Sequence, residues 1–238
     1  MVIKDLLMNE SIKKSGVDAE FIIYDENNIE KQNGNCELRI YDTAILILPE
    51  KGELKRIIFS DIEDIKDDDY KLIIKTESGE KIILSKLGNK FDSFTKEISS
   101  AINDLSIKVQ NSLKELMPDV NSSTIRKIAE IMKEGKAAKR ENLEQISKDL
   151  WQKLEKKILS SEIKEEYEFL KSISRENKIS IGLKRDLLGD LTGEYIWFLI
   201  PIYSEDKNKP QNAVAMEAIT GEEGAKATYF FRMLGREE

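Results

Sequence analysis

The sequence has no histidine and a single cysteine, Cys36, in 238 residues. Without imidazole there is no His-ligated zinc or iron, no Ser-His-Asp or Cys-His nucleophile system and no histidine general base. One thiol excludes an intrachain disulfide, a thiolate-rich zinc site and an iron–sulfur cluster. Only 12 glycines are present, and none falls in a Gly-x-Gly-x-x-Gly or Walker-type pattern. Gly135-Lys136 lacks both the preceding glycine and the hydroxyl residue of a phosphate cradle. No apolar run approaches the ~20 residues of a membrane helix. The longest, Tyr195–Tyr203, is nine residues and contains Pro201. Lys4 and Asp5 interrupt the first apolar residues, so no signal-peptide core is read there, and a soluble cytoplasmic protein is expected.

What is present is a globular composition: 40% hydrophobic and 35% charged residues, with 38 Lys+Arg against 45 Asp+Glu. The length suits one large domain or two small ones. Charge is spread unevenly. Residues 1–104 carry 15 basic and 22 acidic side chains, residues 105–178 carry 16 and 13, and residues 179–238 carry 7 and 10. The acidic first part argues against a nucleic-acid or anionic-membrane face there, and the middle is too weakly basic for nucleic acid.

Residues 2–14 read as a short amphipathic helix through Ile3, Leu6, Leu7 and Ile12, ended by Gly16. Strand-like segments follow: Glu20–Asp25, Cys36–Asp42, Ala44–Leu48, Lys55–Phe59, Ser60–Ile65, Tyr70–Thr76 and Lys81–Leu84. Asn33-Gly34 is a turn signal, Asp67–Asp69 reads as an acidic loop, and Gly79 marks a hairpin. Three adjacent acids lack the alternating spacing of a calcium loop. From Asn89 to Leu105 the period changes. Phe91, Phe94, Ile98, Ile102 and Leu105 recur every three or four residues, the mark of an amphipathic helix.

The run Cys-Glu-Leu-Arg-Ile-Tyr-Asp (36–42), then Phe-Ser-Asp-Ile (59–62), then Tyr-Lys-Leu-Ile-Ile-Lys-Thr (70–76) and Gly-Glu-Lys-Ile-Ile-Leu (79–84), followed by that helix, resembles the pleckstrin-homology-like superfamily over about residues 18–105. The resemblance implies a β-barrel or sandwich closed by a capping helix. It implies no reaction, because the superfamily includes lipid, peptide and protein binders. Its phosphoinositide-binding members use a Lys/Arg cluster at the first hairpin. Here Lys31 and Arg39 stand among Asp25, Glu26, Glu30 and Glu37, which would repel an anionic headgroup.

Further on, Asn121-Ser122-Ser123 offers N-cap candidates for a helix Thr124–Met132 ended by Gly135, and Pro118 stops the helix before it. Asn142–Leu159 reads as one helix through Leu143, Ile146, Leu150, Leu154 and Ile158. Glu162–Ser172 is another, through Ile163, Tyr167 and Leu170. Lys133, Lys136, Lys139 and Arg140 form the densest cationic cluster. They read either as solvated helix-capping cations or as an acidic-partner contact at Lys136, Lys139 and Arg140. Ile179 opens a new β region. Tyr195–Tyr203 is apolar on both faces, a central strand with Pro201 at an end or bulge. With Asn212–Ile219 and Lys226–Leu234 it makes an antiparallel meander. Glu217 and Arg232 are charged residues inside apolar strands. A turn at Glu222-Glu223 sets Glu217 opposite Thr228, about 13 Å from Arg232.

The expected class is therefore α+β. Residues 1–105 form a pleckstrin-homology-like module, 106–178 a helical subdomain, and 179–238 an antiparallel β segment that either packs on the first module or starts a further domain. The expected function is a noncatalytic protein- or peptide-binding scaffold, with no cofactor, no metal and no catalytic residue. It would work by strand addition at a sheet edge or through a groove beside the capping helix. The apolar strand through Phe230-Phe231 leaves an edge covered by the amino-terminal module, by a partner or second copy, or within a longer protein of which this chain is one end; the last two are expected. Two alternatives compete: a carboxylate- or lysine-dependent enzyme with a site between the β parts involving Glu217, and weak anionic-membrane binding through Lys136–Arg140.

Overall fold

The computed structural model describes residues 12–185, 194–203, 212–219 and 226–232. They divide into two compact units, Met1–Leu105 and Ser106–Glu238.

In the first unit, alternation of apolar and polar residues makes seven strands: β1 (Ile12–Tyr24), β2 (Glu30–Tyr41), β3 (Ala44–Pro49), β4 (Lys55–Ile58), β5 (Ile62–Asp68), β6 (Lys71–Thr76) and β7 (Lys81–Ser85). They form one antiparallel sheet in the order β4-β3-β2-β1-β7-β6-β5. The two outer strands are consecutive in the chain, joined only by the 3-10 turn Phe59–Asp61. In a flat sheet they would lie about 29 Å apart at ~4.8 Å per strand, whereas that link spans roughly 14 Å. The sheet must therefore curl on itself. Lys55 of β4 pairs with Glu80 in the turn before β7 (2.6 Å), linking the β4 end of the sheet to the other side.

Helix α1 (Phe91–Leu116) follows. Its Phe91, Phe94, Ile98, Ala101 and Leu105 join Phe21, Leu38, Ile45, Ile74 and Ile82 in one core. A curled antiparallel sheet with a helix filling its open side is the arrangement the resemblance over residues 18–105 implies, and the mixed α+β class holds.

Several boundaries differ from the sequence reading, each for a local reason. β1 already runs at Ile12, so Ile12–Lys14 is strand and not helix; residues 1–11 lie outside the described residues. Gly16 sits inside β1 at φ 67°, where the register with β2 shifts, and so marks a bulge. Asn33-Gly34 lies within β2, because the turn is made earlier. The Asp25 carboxylate accepts from the Asn27 and Ile29 N–H groups, both at 2.9 Å. Asp67 and Asp68 belong to β5. The tight turn falls at Asp69-Tyr70, both at positive φ (49° and 57°), the signature of a two-residue hairpin loop.

In the second unit, α2 (Ser122–Ile131), α3 (Arg140–Ile146), α4 (Lys148–Leu159) and α5 (Lys164–Ser172) pack on one face of a sheet. Asn121 is the N-cap, its side chain accepting from the Thr124 N–H at 2.9 Å. Gly135 lies three residues past the C-cap Met132, and its N–H reaches the Leu183 carbonyl (3.3 Å). The span read as one helix, Asn142–Leu159, is broken at Ser147, which is extended (φ −153°, ψ 111°) and ends α3 while starting α4.

The sheet has five strands where the sequence suggests a three-stranded meander: β8 (Ala138–Lys139), β9 (Ser180–Arg185), β10 (Glu194–Ile202), β11 (Asn212–Ile219) and β12 (Lys226–Arg232), in the order β12-β11-β10-β9-β8. β10 is central, as its two-sided apolarity predicts. Its pairing with β9 stops at Leu199, so Pro201 lies where β11 is the neighbour that pairs with it. Leu150, Leu154, Ile158, Ile163 and Tyr167 from the helices meet Ile181, Ile196, Phe198, Val214 and Met216 from the strands in a single core. Val109 and Leu113 of α1 belong to it too. The segment 106–178 and the strands after 179 thus share one interior.

Candidate functional site

The residues of the cationic cluster have different settings. Lys139 ends β8 and is exposed. Arg140 starts α3 and is held within the chain. Its Nε donates to Glu144 (2.8 Å), an Nη donates to Glu176 (2.6 Å), and its guanidinium lies 5.5 Å from the Trp151 ring. Those carboxylates, Glu144 first, hold its pKa above the ordinary arginine value. Lys133 and Lys136 each have interactions of their own.

Glu217 and Arg232 are not brought together. Glu217 stands opposite Ala227, one residue from the register expected, and Arg232 stands opposite Asn212. The partner of Glu217 is Tyr229, whose hydroxyl donates to it at 2.8 Å and whose own pKa is raised by that carboxylate. Among the described residues, no group of three His, Cys, Asp or Glu side chains could hold a metal ion. No helix there is long and apolar enough to cross a membrane.

The first unit has a shallow groove of about 430 Å³ lined by Asp18, Glu20, Asn35, Glu37, Leu48 and Lys86, among others. It is acidic, and its lysine is paired with Glu20 (2.6 Å). Arg39 donates to Glu37 of the groove (2.7 Å), and at the β1–β2 hairpin Lys31 pairs with Asp25 (2.9 Å). Beneath the groove, burial pushes the Cys36 thiol up to about 12, aided by the charge of Asp18.

Among the described residues, the large apolar side chain with the highest exposure, Phe230, lies towards the other end of the sequence. β12 has β11 on one side, and among the described residues nothing pairs with its other side. Phe230 is 80% exposed, Tyr229 45% and Phe231 47%. Register separates two faces. Lys226, Thr228, Phe230 and Arg232 oppose Ala218, Met216, Val214 and Asn212, on the side of the sheet that the helices cover. Ala227, Tyr229 and Phe231 point the other way. Phe230 is exposed on the helix side because the helical layer stops short of it.

α5 forms the border of that layer. Its Tyr167 packs on Phe198 (5.1 Å between ring centroids) and donates to Glu155 of α4 (2.8 Å). On its far flank, Glu166 pairs with Lys226 of β12 (2.8 Å). Helical spacing puts Phe169 and Ile173 on the same flank as Glu166. They are 65% and 57% exposed. The sequence shows the core stripe of this helix, Ile163, Tyr167 and Leu170. It did not single out Phe169, whose only signal is a bulky ring placed off that stripe.

No protein-family model matches the chain, and no curated protein matches it. Solved structures similar to it include the C-terminal domain of an unknown protein from Leishmania infantum, at 14% identity and TM-score 0.32, covering 42% of this chain and 94% of that one. Another is the N-terminal PH domain of human ARAP2, at 13% identity and TM-score 0.30, covering 38% and 79%. A third is the FERM and C-terminal domain complex of Drosophila Merlin, at 15% identity and TM-score 0.26, covering 43% of this chain and 32% of that one.

Proposed function

We propose that this protein is a noncatalytic protein- or peptide-binding module that takes up an extended segment along the edge of β12. The observation that carries this reading is Phe230, 80% exposed in the middle of an edge strand. An edge of this kind is normally guarded by a charge, a proline or a bulge. Between Lys226 and Arg232, β12 has none of these. Main-chain hydrogen bonds from an added strand would supply affinity, and alternate side chains would supply selectivity. The Lys136–Arg140 region supports a membrane-surface reading less well, since Arg140 is committed to Glu144 and Glu176.

The test is a screen of the full chain against a library of extended nonapeptides, repeated with Phe230→Lys. The reading expects a set of ligands that the substitution abolishes. Ligands that bind Phe230→Lys equally well, or turnover of any small molecule lost on a single substitution at Glu217, would contradict it.

A further inference from the structure

Resting on that reading, the geometry points to a definite occupant: an extended segment of another protein, antiparallel to β12, with an acidic residue at its amino-terminal end and apolar residues two and four positions later. α5 and β12 occupy matching levels along the sheet. Tyr167 meets Phe198, and Arg175, just beyond α5, lies 4.4 Å from the Tyr203 ring. α5 therefore climbs alongside β10 from residue 198 to residue 203. The ladders place Phe198 level with Met216 and Thr228, and Ile202 level with Asn212 and Arg232. Phe169 and Ile173 consequently overlook the stretch of β12 from Thr228 to Arg232. Their flank of α5 and the helix-side face of β12 are two walls of one open cleft.

The cleft is electrically polarised. At its Lys226 end the ion pair with Glu166 closes it, and the charges of Glu162 and Glu165 also act on that lysine. At its other end stands Arg232, exposed. Between them the walls are Phe230, Phe169 and Ile173. An incoming strand keeps the antiparallel pairing used throughout this sheet. Its residue opposite Arg232 comes first and meets that guanidinium, which binds a carboxylate through charge-assisted hydrogen bonds. Its residues two and four positions later point to the same side. They lie opposite Phe230 and Thr228, under Phe169. A residue six positions later reaches the Glu162–Glu165–Glu166 end, which favours a cation.

The probes are two capped peptides of identical composition, Glu-Thr-Leu-Thr-Val-Thr-Lys and Lys-Thr-Leu-Thr-Val-Thr-Glu, titrated onto the full chain by fluorescence anisotropy. The Glu-first peptide is expected to bind about tenfold more tightly. Arg232→Glu should reverse that order, and Phe169→Lys should weaken both peptides. Equal affinities, or preference for the Lys-first peptide, would overturn the assignment. Library ligands that depend on Phe230 but show no charge order would overturn it while leaving the proposed function standing. If no library ligand depends on Phe230, both fail. A concentration-dependent dimer abolished by Phe230→Lys would make a second copy the occupant and also overturn it.

Discussion

Cys36 illustrates how one side chain's setting fixes its chemistry. It is 4% exposed, and burial, with the nearby Asp18 charge, raises its pKa to about 12. At neutral pH it is a thiol and a poor nucleophile. N-ethylmaleimide should label the native chain at least about 100-fold more slowly than the chain in denaturant. The pH dependence has a definite sign. In the unfolded chain the thiol ionises near 9, while the folded state holds its proton up to about 12. Its contribution to stability is complete below about pH 9 and fades between about 9 and 12. Cys36→Ala should flatten that part of the alkaline unfolding curve; an unchanged curve would count against the assignment. Gly182 is a second case. A Cβ there would collide with the indole of Trp197, which lies across it from the paired strand. Gly182→Ala should cost about 1–3 kcal/mol by urea unfolding. Adding Trp197→Leu should recover part of that loss, since the clash is with a rigid ring.

At the level of elements, periodicity carried far in this sequence. The change from alternating residues to threefold and fourfold spacing near Phe91 located α1, and two-sided apolarity identified β10 as central. The misreadings have physical causes. Ser147 breaks a continuous apolar stripe by one extended residue, which periodicity does not register because Ile146 and Leu150 remain on phase. Ala138–Lys139 pairs with β9 through only two residues, too short for any alternation. Asn33-Gly34 was overruled by the Asp25 carboxylate, which made the turn first. The candidate surface was half legible. The apolar run through Phe230 announced an exposed edge, but Phe169 needs the Glu166–Lys226 pair before its flank can be oriented. If β12 is a docking strand, Phe230 contributes little to folding. Phe230→Lys should shift stability by no more than about 0.5 kcal/mol, whereas Asn121→Ala, which removes the cap of α2, should cost about 1 kcal/mol. Chemical denaturation of both variants checks the contrast.

Across the whole molecule, the chain holds two separate interiors, each with its own sheet. Ile82 is fully buried in the first and Leu154 in the second. Truncating either to alanine should cost about 2–5 kcal/mol in its own unit. In calorimetry Ile82→Ala should lower one transition and Leu154→Ala the other; a single transition shifted equally by both would show that the units unfold as one. The central claim is that the second unit offers β12 to another chain. Hydrogen exchange of the full chain with and without a library ligand tests it most directly. The account predicts slowed exchange over residues 226–232 and in the Phe169–Ile173 stretch, with the first unit unchanged. Protection confined to the Asp18–Glu37 groove, or none in β12 at saturating ligand, would contradict it.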